Sequence, residues 1–204
     1  MLSHSAALRV IHEPGNSVDL DAAERAAADF LRALGIPLDS ESLQGTPGRM
    51  ARAYAELFTP APFNLTTFPN DEGYDELVLA RSIPVRSVCE HHLLPFMGIA
   101  HVGYLPGDRI LGLSKLARIV EHFARRPQVQ ERLTKQIADL LCERLHPKGV
   151  GVVIEAEHTC MTLRGVNTPG SLLTTSRLLG VIRDDPRTRG EFLSAVGGVS
   201  SGPR

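Results

Sequence analysis

Between residues 76 and 165 the spacing of apolar side chains changes twice, and few folds accommodate both changes. The segments ELVLARSIPVRSV (76–88) and MGIAHVGYLP (97–106) read as strands, and a Pro106-Gly107-Asp108 turn joins the second to the short run RILGL (109–113). SKLARIVEHFARR (114–126) and QVQERLTKQIADLLCERLH (128–146) then repeat with a helical period, parted by Pro127, which suits a helix start. GVGVVIEAEHTCMTLRG (149–165) returns to alternation, Pro169-Gly170 makes a turn, and SLLTTSRLLGVI (171–182) supplies a hairpin partner. Strands, two helices and strands again define an α+β domain with helices on one face of an antiparallel sheet. The second face is either wet or covered by another subunit.

Two helices are expected ahead of this unit. DLDAAERAAADFLRALG (19–35) carries Ala22, Ala26, Phe30, Leu31 and Leu34 at helical spacing and stops at Gly35 before Pro37. TPGRMARAYAELF (46–58) starts with Thr46 as N-cap and Pro47 in the first helical position. A last short helix fits RTRGEFLSAV (187–196). The 204 residues suffice for one domain, expected over 19–198, with an N-terminal extension over 1–18 and a tail over 199–204.

A net charge of -1 exerts no overall pull toward nucleic acid or membrane, so any anion site must be local. No secretory leader or membrane-length apolar run is visible, which points to the cytoplasm. Three cysteines, Cys89, Cys142 and Cys160, are too few for a secreted disulfide scaffold and suit metal or catalytic use in a reducing compartment.

The stretch SVCEHHLLPFMG (87–98) sets Cys89, Glu90, His91 and His92 side by side. Cys89 and His92 have a spacing that reaches one metal from a tight turn. For a third ligand, strand alternation puts Val152, Ile154, Ala156, His158 and Cys160 on one face and Val153, Glu155, Glu157 and Thr159 on the other. The economical assembly is Cys89, His92 and Cys160 on Zn2+ with the fourth position open; such a site lowers the pKa of bound water from ~15.7 toward ~7. His91 and His158 would then be spare histidines fit to shuttle protons. A closed structural zinc, with His158 or His91 as fourth ligand, and a Cys89–Cys160 disulfide are the competing readings.

In the helix from residue 114, Leu113, Leu116, Ala117, Val120, Phe123 and Ala124 make an apolar stripe, while Lys115, Arg118 and His122 share another face. That pattern alone is common for a solvated helix. Ser114, placed after GDRILGL at the helix N-terminus, adds free amides, so phosphate is the ligand expected there. Arg164, Arg49 and Arg52 are further candidate phosphate-binding cations. Gln130 and Glu131 offer an amide and a carboxylate to the other end of a nucleotide.

Taken together, CEHHLLPF, GLSKLARIV, RPQVQERLT, HTCMTLRG and the closing EFL resemble GTP cyclohydrolase I of the zinc-dependent type over roughly residues 20–197. The resemblance implies the tunnelling fold: an antiparallel sheet with two central helices on one face and N-terminal helices, joined between subunits into an oligomeric β-barrel. It also implies a homodecamer of two pentamers with active sites between subunits. The implied reaction is hydrolysis of GTP at guanine C8 with loss of formate, ribose rearrangement and closure to 7,8-dihydroneopterin triphosphate, the first step of tetrahydrofolate or pterin biosynthesis. By motif match Cys89, His92 and Cys160 are the zinc ligands, and His91 and His158 exchange protons, with Glu90 grouped beside them. Ser114, Lys115, Arg118 and Arg164 hold ribose or triphosphate, Gln130 and Glu131 recognise guanine, and Arg49 and Arg52 form a phosphate segment delivered by an adjacent subunit. Two other readings remain at this point: a tunnelling-fold relative that reduces a deazapurine nitrile with NADPH, and a non-catalytic zinc-stabilised assembly protein.

Overall fold

The structure is a computed structural model and describes residues 18–197. Apart from Val18, the extension over 1–18 and the tail over 199–204 lie outside the described residues. In chain order the elements are α1 (Leu20–Ala33), α2 (Thr46–Leu57), β1 (Thr67–Pro69), β2 (Val78–Cys89), β3 (Pro95–Leu105), β4 (Arg109–Leu111) and α3 (Ser114–Ala124), followed by β5 (Pro127–Gln128), α4 (Gln130–Leu145), β6 (Gly149–His158), α5 (Thr159–Thr162), β7 (Leu173–Gly180), α6 (Val181–Asp184) and α7 (Pro186–Gly197).

Asp19 caps α1 by accepting from the Ala22 amide at 2.9 Å, and Gly35, at φ +75°, closes it as its sequence leads one to expect. At α2 the boundary differs. Gly45 is the N-cap and Thr46 is already helical, because the Thr46 hydroxyl accepts from the Arg49 guanidinium at 2.8 Å instead of capping an amide.

The main sheet runs β5-β2-β3-β6-β7, antiparallel throughout except for the two-residue parallel pair of β5 with the end of β2. Pro127 therefore opens a strand rather than a helix; without an N–H it fits an edge position, and α4 begins only at Gln130. The strand expected over 149–165 ends at His158, where α5 takes over. β1 and β4 form a separate two-stranded sheet.

α3 and α4 cover one face as expected: Leu116, Ile119, Val120, Leu133, Ile137 and Leu141 pack with Val85, Val102 and Ile154 in one core. The α3 stripe is turned relative to the expected one. Leu113 precedes the helix and is 85% exposed, Ile119 takes its place inside, and His122 is buried rather than lined up with Lys115 and Arg118. Helices are also not confined to one face. α7 lies on the other, where Phe192 fills a dent made by the cross-strand pair Gly103 and Gly151. A Cβ on Gly151 would sit 2.6 Å from that ring, so the glycine is required by close approach. Phe192 is fully buried, and Phe192→Ala is expected to cost about 3–5 kcal/mol in urea unfolding. A loss below ~1 kcal/mol would show that α7 is not seated on the sheet.

Candidate metal and catalytic centre

β2 and β6 finish, and β3 begins, at one end of the sheet, with Val88 opposite Pro95 and Phe96 opposite His158. The loop between β2 and β3 closes tightly: the Cys89 amide donates to Leu94 O and the Leu93 amide to Cys89 O, both at 2.8 Å. Leu93 adopts φ +53°, uncommon for a residue with a Cβ. The Tyr54 hydroxyl of α2 donates to its carbonyl at 3.1 Å and holds the turn from outside.

Cys160 reaches the same place by a route that alternation does not describe. Strand parity stops at His158, and Cys160 lies in the single helical turn α5, whose Thr159 hydroxyl donates to Pro95 O at 2.6 Å. The turn brings Cys160 back toward Cys89. Donor atoms of Cys89, His92 and Cys160 all lie within 4.8 Å of one another, with both cysteines buried and His92 exposed. The thiols are free, so the disulfide reading does not hold. Burial, and then the neighbouring Cys89 sulfur, push the Cys160 thiol above its ordinary pKa, while Arg164 acts in the opposite sense. Two buried sulfurs side by side are poor thiolates unless a cation joins them, and two thiolates with an imidazole suit zinc. The residues present fit that ion.

The first three residues of α4 meet the centre in three ways. Gln130 is buried, and its Oε1 lies 2.8 Å from His158 Nε2. Glu131 is exposed and lines a cavity of about 300 Å³ together with Thr134, Lys135, Thr175, Ser176 and Arg177. Arg132 makes a two-pronged ion pair with Glu90 at 2.5 and 3.0 Å. That guanidinium holds the Glu90 carboxyl below the usual carboxylate range. His158 is stacked flat on Phe96, 4.4 Å between centroids, and burial holds its pKa down against the opposing pull of Glu131. His91 is open to solvent, its Nε2 3.8 Å from Glu90 Oε1.

Arg164 follows α5 closely enough for its charge to act on the Cys160 thiol. The start of α3 is elsewhere. Its end adjoins the centre, since Ser87 donates to Ala124 O at 2.7 Å, and a helix of 11 residues puts Ser114 and Lys115 about 15 Å away along its axis. Arg49, in the first turn of α2, donates to Thr46 of the same turn and to Ser42 O just before it, and Arg52 is exposed on α2. Arg132, Phe96 and Tyr54 were not anticipated as parts of this centre; the one available hint was that Glu90 needed a cation.

A buried pair of sulfurs and an imidazole at a sheet end, with further histidines and a carboxylate beside them, define an α+β enzyme centre with a place for a metal. The model of the family "GTP cyclohydrolase I" matches residues 23–197. Proteins named GTP cyclohydrolase 1 are 51% identical in Aquifex aeolicus (90% of this chain, 100% of theirs) and 49% identical in Mycobacterium tuberculosis (95% of each). The Rhodopirellula baltica protein of that name is 48% identical over 92% of this chain and 83% of its own. Among solved structures, an archaeosine synthase QueF-like protein in the apo form covers 51% of this chain and 93% of its own, with a TM-score of 0.41 and 18% identity, too slight a likeness to define the fold. The chain belongs to the GTP cyclohydrolase I family, which favours the cyclohydrolase reading over the nitrile-reducing one.

Proposed function

We propose that the chain hydrolyses GTP at guanine C8, releases formate, rearranges the ribose and closes 7,8-dihydroneopterin triphosphate, opening tetrahydrofolate or pterin biosynthesis in the cytoplasm. The observation that carries this reading is the Cys89, His92 and Cys160 group within 4.8 Å, beside His158, in a member of this family. These three residues would hold Zn2+, which supplies Lewis acidity and makes water nucleophilic at neutral pH.

The chain's own groups do the rest. The Glu131 carboxylate accepts the guanine N1–H and N2–H bonds. His158 and His91 give and take protons at the ring nitrogens as C8 is hydrated and the ring opens, and Glu90 stands beside His91 at 3.8 Å. Arg164, Ser114, Lys115, Arg118, Arg49 and Arg52 hold ribose and triphosphate, so contacts far from C8 orient the base and their loss lowers turnover as well as affinity.

The length of α3 between its start and the centre supports the reading that Ser114 and Lys115 serve the site of a neighbouring copy. Three features support such an assembly. β7 is an edge strand, β2 is paired on its outer side only at its end, and Phe30 of α1 and Leu34 just after it are exposed. The proposed assembly is the tunnelling-fold β-barrel in a decamer of two pentamers, built from one domain over 19–198. Among the described residues no helix is long and apolar enough to cross a membrane.

Incubating purified zinc-loaded protein with GTP should yield formate and, after oxidation, a fluorescent pterin. A protein with full zinc content that releases no formate would overturn the reading and leave the non-catalytic assembly role.

A further inference from the structure

Gln130 is 1% exposed, and every polar atom of its side chain is used. Its Nε2 lies 3.1 Å from Ile154 O, 2.9 Å from Leu173 O and 3.1 Å from Thr175 Oγ1. Backbone carbonyls only accept, so the NH2 end of the amide must face them and the oxygen must face His158. The surrounding hydroxyls agree with this orientation: Thr134 donates to Gln130 O at 2.8 Å and shares a 2.7 Å hydrogen bond with Thr175. An amide oxygen also only accepts. His158 Nε2, 2.8 Å away, therefore carries the hydrogen, and the neutral ring is the Nε2–H tautomer. Phe96, parallel to within 9°, fixes the plane of the ring.

We propose that Gln130 is a positioning residue: it fixes the orientation of the His158 ring and its Nε2–H tautomer, and it does not itself read the guanine. This rests on the role proposed for His158. It divides the expected guanine pair, leaving recognition to the exposed Glu131 carboxylate. The reason is one of availability. A base reaching for the Gln130 amide would have to displace three acceptors and a histidine inside a closed site, and each buried partner left unmade is costly.

The test uses zinc-loaded protein labelled with 15N-histidine, with the His158 ring assigned by its loss in His158→Asn. The wild-type protein should show His158 protonated on Nε2 and bare on Nδ1, and Gln130→Met should give a mixture of tautomers. In turnover of GTP, Gln130→Met should lower kcat about 10–100-fold, the usual effect of removing a partner that orients a functional histidine, with KM changed less than about twofold. A wild-type ring protonated on Nδ1 overturns the proposal, and so does a variant with unchanged kcat or with only a raised KM. If Gln130→Met does not fold, the wild-type spectrum decides alone. The spectrum is independent of turnover, so an inactive protein with the Nε2–H ring would sink the proposed reaction and not the tautomer assignment.

Discussion

Cys160→Ala is expected to abolish zinc binding and GTP turnover together while the fold survives. The substitution removes one of the two sulfurs in a group of three donors and leaves Cys89 with His92, too few ligands to keep an ion whose sites use three or four. The structural cost is small, because the side chain is replaced by one only slightly smaller at a position that packs at the sheet end. The chemical cost is large. Lewis-acid stabilisation amounts to several kcal/mol, and at ~1.4 kcal/mol per decade turnover should fall by about 10³-fold or more. Zinc content after dialysis, formate release and a thermal melt separate the two effects. A variant that retains one zinc per chain and normal turnover would show that Cys160 is not a ligand.

His158→Ala should have the second largest effect and the opposite signature: zinc retained, turnover reduced about 10²–10⁴-fold, as for loss of a general acid or base. Here stability has to be controlled. Removing the ring strands the buried Gln130 oxygen, at about 1–3 kcal/mol, and forfeits the Phe96 stack, at about 0.5–1.5 kcal/mol. His158→Gln still offers an N–H toward Gln130 and should regain part of the stability without regaining turnover. If either variant keeps more than about a tenth of wild-type activity, His158 is not a proton carrier and the site works by another group.

The helices and long strands were legible because each satisfies a local period: Leu116 and Val120 on α3, and the Val152, Ile154, Ala156 alternation of β6, are visible in a short window. Cys89 and His92 could be paired for the same reason, since one turn contains both. Cys160 was grouped with them through strand parity, and the grouping agrees with the structure although the parity does not: the chain leaves the strand after His158, and a helical turn restores the direction. What could not be seen depends on partners remote in sequence. β5 is two residues long and exists only because the end of β2 is beside it. The Arg132–Glu90 pair spans 42 residues, and Phe96 meets His158 through the β3–β6 register. No composition or spacing signals such meetings, since they follow from how the finished sheet is assembled.

The start of α4 acts as a common frame of reference for the centre, because consecutive residues 130, 131 and 132 steady the histidine, face the cavity and clamp the Glu90 loop. Successive residues on a helix point about 100° apart, so inserting or deleting one residue between β5 and α4 would swing all three off target at once. The length of this junction is as much a part of the active site as any side chain.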